Sequence, residues 1–148
     1  MDMYEFIKER VGTTVPFAAH TGITVTRVAD GEGTAELPKT DTSINHIGSQ
    51  HAGALFTLGE AASGAAMAGA FAPVLLEVRT IAGKAGITYT KIAKGTITAN
   101  AHTADPAATR LQKLEADGKV AFDVTVDMTN EDDDKVAEMT VAWHVQKT

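Results

Sequence analysis

The chain has no cysteine, which removes disulfides, thiolate metal sites and cysteine nucleophiles from consideration at once. It is also short of positive charge: 13 Lys and Arg stand against 19 Asp and Glu, a formal net charge of −6. Nonspecific nucleic-acid binding needs a broad basic field, so that class of partner is excluded, whereas a small anionic molecule needs only a local group of Lys or Arg. The opening residues Met1-Asp2-Met3-Tyr4-Glu5 are acidic and lead into no apolar run. No signal peptide is therefore expected, and a cytoplasmic location is. There is no strand–helix–strand alternation, internal repeat, low-complexity tract or Gly-rich phosphate loop. His20, His46, His102 and His144 show no metal-ligand spacing with one another or with nearby acids, so no metal site is expected. At 148 residues, one domain spanning 1–148 is the economical reading.

What is present is an apolar run. From Ala52 to Leu76 (AGALFTLGEAASGAAMAGAFAPVLL) the one charged residue is Glu60. A carboxylate in that setting loses hydration, so it is kept only with a partner or a job. As a membrane span the run fails: it is rich in Gly and Ala, carries Glu60 near its middle and lacks basic or Trp/Tyr anchors at its flanks. A helix that is apolar all round can instead be buried by its own protein. The spacing predicts a helix from His51 to Ala70, with Ser49 or Gln50 near its cap and Pro73 closing it.

Around this helix the pattern is β-rich. A short amphipathic helix over Met3–Val11 is ended by Gly12 and Pro16, and strands Gly22–Ala29 and Gly33–Leu37 meet at an Asp30-Gly31 turn. Alternating β-branched residues predict further strands over Leu75–Ile81, Ala85–Ile92, Gly95–Thr103, Lys119–Thr129 and Lys135–Gln146. Pro106–Ala116 interrupts them as a short exposed helix, and Glu131-Asp132-Asp133-Asp134 reads as a solvated turn. The class is α+β, one long helix wrapped by an antiparallel sheet.

The segment Asn45-x-x-Gly48-x-x-His51-Ala52-Gly53-Ala54-Leu55-Phe56-x-Leu58-x-Glu60 resembles the signature of the hotdog-fold acyl-CoA thioesterases, especially the phenylacetate-pathway type and its relatives. Ile87-Thr88-Tyr89-Thr90-Lys91 with Gly95 resembles the strand that follows in that family. The resemblance runs from about residue 20 to the end. It implies a hotdog fold, a curved antiparallel sheet around one central helix. It also implies hydrolysis of an acyl-CoA thioester, with coenzyme A as part of the substrate and no separate cofactor.

In that family the amide at the first Gly of His-Gly-Gly binds the thioester oxygen, and an acid nine positions after the His attacks or activates water. Carried over, these roles fall on Ala52 and on Glu60, as general base or nucleophile. Asn45 would hold the water or the carbonyl, and His51, at the helix start, is counted with them as a catalytic candidate or else as a structural residue bonded to a loop. Gly53, Phe56, Ser63 and Thr80 are the candidates for substrate contact, Met67 and Phe71 for a tunnel, and Lys91 and Lys94 for the CoA phosphates. Two departures matter: Ala52 replaces Gly, adding a methyl group to the approach, and Glu60 replaces the commoner Asp.

The spacing carries a further expectation. Ala52 and Glu60 lie eight residues apart, about 12 Å along one helix at ~1.5 Å per residue. One thioester carbon cannot touch both. Two such helices crossing antiparallel near Phe56 would bring Ala52 of one beside Glu60 of the other, so self-association as a dimer or dimer of dimers is expected. A noncatalytic acyl-CoA or lipid binding protein of the same fold is the alternative.

Overall fold

The computed structural model describes residues 2–148. The first helix, α1 (Met3–Thr14), opens at Asp2, whose carboxylate accepts from the Glu5 amide at 2.9 Å and so satisfies one of the orphan donors of the first turn. The helix runs on through Gly12, and Pro16 begins a second one, α2 (Pro16–Thr21). Proline at the first helical position loses no bond, because that N–H has no partner there in any case. The single short helix expected from the sequence is therefore two.

A hairpin follows, β1 (Thr24–Ala29) and β2 (Glu32–Leu37), turned at Gly31 with φ +70°. Next come the long helix α3 (Ala52–Ala70), a 3-10 turn over Ala72–Glu77, and strand β3 (Val78–Tyr89). The chain finishes with β4 (Ile97–Thr103), α4 (Ala107–Asp117), β5 (Lys119–Thr129) and β6 (Lys135–Lys147). Among the described residues six strands form one antiparallel sheet in the order β1-β2-β4-β5-β6-β3. This arrangement is the hotdog fold.

Two strands expected over Leu75–Ile81 and Ala85–Ile92 are in fact the one strand β3. Its pairing with β6 slips between Ala82 and Lys84, so Gly83 is the extra residue of a bulge, and the bulge breaks the alternation on which strand reading depends. Leu75 and Leu76 belong to the 3-10 turn, which carries Pro73 in its first positions.

The helix α3 packs against β1, β2, β4, β5 and β6, and the sheet wraps it. Its seat on β2 is very close: a methyl group added at Gly33 would lie 2.6 Å from the Ala62 carbonyl oxygen and from the Ala66 nitrogen. Phe71, Leu37, Leu58, Ile97 and Met128 are fully buried around it, with the Phe71 and Phe122 rings 5.4 Å apart. No helix of the described residues is long and apolar enough to cross a membrane.

The two edges of the sheet differ. β1 is short and α1 lies against it. β3 is twelve residues long, pairs on one side with β6, and has no buried residue on either face. Such an edge presents unpaired backbone groups to whatever strand meets it.

Candidate active site

The approach to α3 is organised by Asn45. Its Oδ1 accepts from the amides of Ile47 and Ser49, both at 3.1 Å, and its Nδ2 donates to the Ser49 hydroxyl at 2.8 Å. Gly48 takes φ +78°, a left-handed conformation that glycine adopts without a Cβ clash. Asn45 thus spends both ends of its amide on the loop. Gln50 anchors the far side: Nε2 donates to the Leu37 and Gly95 carbonyls at 3.3 and 2.8 Å, and its backbone amide donates to Ala93.

The cap of α3 is His51, neither Ser49 nor Gln50. Its Nδ1 accepts from the Gly53 amide at 2.8 Å, which requires the neutral ring to carry its proton on Nε2. Because His51 takes the Gly53 amide, the first-turn N–H at Ala52 is the exposed donor left without an acceptor among the described residues. The Tyr89 hydroxyl, from the end of β3, donates to the Ala52 carbonyl at 3.0 Å and ties strand to helix. Partial burial raises the Tyr89 pKa. Tyr89 and Gln50 were not among the sequence candidates. Their partners are backbone carbonyls distant in the chain, which no local pattern encodes.

Glu60 stands two turns further on. Its carboxylate makes no hydrogen bond or ion pair among the described residues. Burial pushes its pKa above the ordinary carboxylate value, with desolvation as the cause. Its turn is held by Ser63, whose hydroxyl donates to the Glu60 carbonyl at 2.8 Å and accepts from the Trp143 indole at 3.0 Å. Ser63 is fully buried; its hydroxyl is committed on both sides and reaches no cavity.

One chain distributes the candidate residues over two cavities. The first, about 420 Å³, gathers Asn45, Gln50, Ala52, Leu55, Tyr89 and Lys91 around the opening of α3. The second, about 540 Å³, contains Glu60 together with Met67, Thr80 and Trp143. Phe56 is partly exposed and lines neither, and Phe71 is sealed in the core. Of the two lysines, Lys91 is paired with Asp134 at 2.6 Å, an acid of the run expected to be merely solvated. Lys94 is exposed and unpaired among the described residues. No group of three or more His, Asp or Glu among the described residues is placed to hold a metal ion.

A family model described as a domain of unknown function, DUF4442, matches residues 4–145. None of the curated proteins matches the chain. Among solved structures it is similar to PA5026 of Pseudomonas aeruginosa, a protein of unknown function described as a probable thioesterase. Identity is 24% over 97% of this chain and 95% of that one, with a TM-score of 0.84. It is also similar to a thioesterase family protein from Silicibacter pomeroyi, at 17% identity, 98% and 99% coverage and a TM-score of 0.78. A mutant of a thioesterase enzyme from Staphylococcus aureus gives 18% identity, 89% and 99% coverage and a TM-score of 0.71. At these identities the likeness is one of fold.

Proposed function

The chain belongs to the DUF4442 family, and from that premise we propose that it is a thioester hydrolase acting on acyl-CoA, with each active site shared between two chains. The observation that carries this reading is the separation on α3. An unpaired amide donor opens the helix in one cavity, and an uncommitted carboxylate stands about 12 Å along it in another. Each is half of a hydrolytic site, and neither half is completed within the chain. The long open edge of β3 gives a second copy a place to pair, and a two-fold dimer would set each half against its complement. The thioesterase descriptions of the structural relatives support the same chemistry.

In this reading the thioester carbonyl oxygen accepts from the Ala52 amide at the positive end of the α3 dipole. Glu60 of the facing chain removes a proton from water as the water oxygen attacks the carbonyl carbon. Negative charge develops on the carbonyl oxygen, where one such donor contributes about 2.7–4 kcal/mol. Collapse re-forms the carbonyl and breaks the carbon–sulfur bond; the sulfur leaves with the proton held by Glu60, giving a free acid and a thiol. A raised pKa makes Glu60 a stronger base once ionised. In this reading the CoA phosphates meet Lys94, which is exposed and outside any ion pair among the described residues, whereas Lys91 is paired with Asp134.

The test is release of free thiol from a panel of acyl-CoAs by wild type and by Glu60→Gln. A loss of roughly 10²–10⁴-fold in kcat is expected. An unaffected rate would remove Glu60 from the mechanism, and acyl-CoA binding without any turnover would identify a noncatalytic binding protein.

A further inference from the structure

The cavity that contains Glu60 is not made by the sheet and α3 alone. Its outer wall is the N-terminal pair α1 and α2, through Ile7, Val11, Gly12 and Ala18, and its floor is Met67, Ala68 and Trp143. At about 540 Å³ it falls within the ~300–1,000 Å³ typical of small-molecule sites. Two charged residues line it. One is Glu60; the other, Arg10, is exposed, with its guanidinium 5.6 Å from the Phe6 ring centroid. The apolar lining continues outward on to exposed side chains: Phe6 is 47% exposed, Val15 42%, Ile81 53% and Leu76 87%. Large apolar groups grouped at a cavity in this way mark a binding surface.

We propose that this chamber holds the acyl group of the substrate, and that the substrates are thioesters of large uncharged hydrocarbon acids, fatty or aromatic. The inference rests on the thioester reading above and adds to it the class of acid. The reacting carbonyl must sit at Glu60, so the chain attached to it extends along the walls that flank Glu60. Those walls are mostly hydrocarbon, interrupted by Thr14, Thr80 and the exposed Arg10. A second carboxylate on the acyl group would enter an apolar wall already holding one carboxylate, with no buried cation to receive it. A two-carbon acyl group would leave most of the chamber unused. The helical pair α1–α2 therefore sets which acids are accepted, while α3 supplies the chemistry.

The experiment compares kcat/KM for acetyl-, succinyl-, octanoyl- and lauroyl-CoA, together with calorimetric binding of the neutral probe 1-decanol. Wild type should prefer lauroyl or octanoyl over acetyl by roughly tenfold or more and should reject succinyl. Gly12→Trp fills the chamber from α1, where an added Cβ meets nothing within 4 Å. It should lower the lauroyl-to-acetyl ratio about tenfold and abolish decanol binding. Leu76→Asp, on a side chain 87% exposed, leaves the core untouched and should lower the same ratio if Gly12→Trp does not fold. A flat or short-chain profile with no decanol binding overturns the chamber even if thioesters are cleaved. Decanol binding that Gly12→Trp removes, without cleavage of any thioester, supports the chamber and overturns the hydrolase reading.

Discussion

Two places on the same helix, separated by little more than two turns, are furnished in opposite ways. At the opening of α3 the side chains are largely committed: Asn45 to its loop, the Gln50 Nε2 to the end of β2 and to the Gly95 carbonyl, the His51 Nδ1 to Gly53, Tyr89 to the Ala52 carbonyl. Among what remains is the Ala52 backbone amide, an exposed donor on a rigid frame. At Glu60 the backbone is held by Ser63 and Trp143, yet the carboxylate has no partner and loses hydration to apolar neighbours. The first place is fixed by hydrogen bonds and offers a donor; the second is fixed by packing and offers an uncompensated base. The proposed hydrolysis uses both, and the helix holds them about 12 Å apart, too far for one thioester carbon to touch both within a chain.

The sharpest way to break this comparison is to delete the amide and nothing else. Ala52 is the first residue of α3, and His51 has φ −66° and ψ 141°, the extended backbone that proline requires of the residue before it. Ala52→Pro should keep the helix and lower kcat by about 10²–10³-fold, read by thiol release beside a melting curve. An unchanged kcat would remove this amide from the mechanism. Mixing the inactive Ala52→Pro and Glu60→Gln chains tests whether the two places serve one another across a dimer. A shared site restores about a quarter of the wild-type rate, through the one intact site in each mixed pair. A site within one chain restores nothing.

Smaller effects sharpen the contrast. His51→Ala removes the helix cap, so it should cost about 1 kcal/mol of stability and lower Tm by roughly 2–4 °C. A fall in kcat with Tm unmoved would instead place the imidazole on the substrate. The smallest effect concerns Glu60 itself. Its folded-state pKa is raised by burial, so its contribution to stability is full below the unfolded carboxylate value and is lost as pH rises through the folded one. Glu60→Gln escapes that loss. Its Tm should exceed that of wild type by about 1–2 °C at pH 8 and match it near pH 4. A variant less stable at pH 8 would mean that the carboxylate has a stabilising partner.

Much of this was legible in the chain. β-branched alternation marks the strands, and the isolation of Glu60 in an uncharged run marks it as the carboxylate that burial strips of hydration. The misreadings have local causes. Gly83 inserts a bulge that shifts the alternation of β3, and Pro16 can begin a helix as readily as it can follow one. Residue preference points to Ser49 or Gln50 as the cap, whereas the imidazole of His51 accepts from the first turn instead. What the sequence could not carry is tertiary: the Lys91–Asp134 pair and the division of the candidates between two cavities depend on residues 40 or more positions apart or on separate elements.

The contact at Gly33 has a consequence for how such a protein diversifies. With two backbones nearly touching there, and Gly69 pressed as closely to the Ala29 carbonyl, the central rod has no room to slide, roll or accept bulkier residues on that side. On the chamber reading proposed above, a change in what the molecule recognises falls instead to the first twenty or so residues, which wall the Glu60 cavity and lie away from this contact.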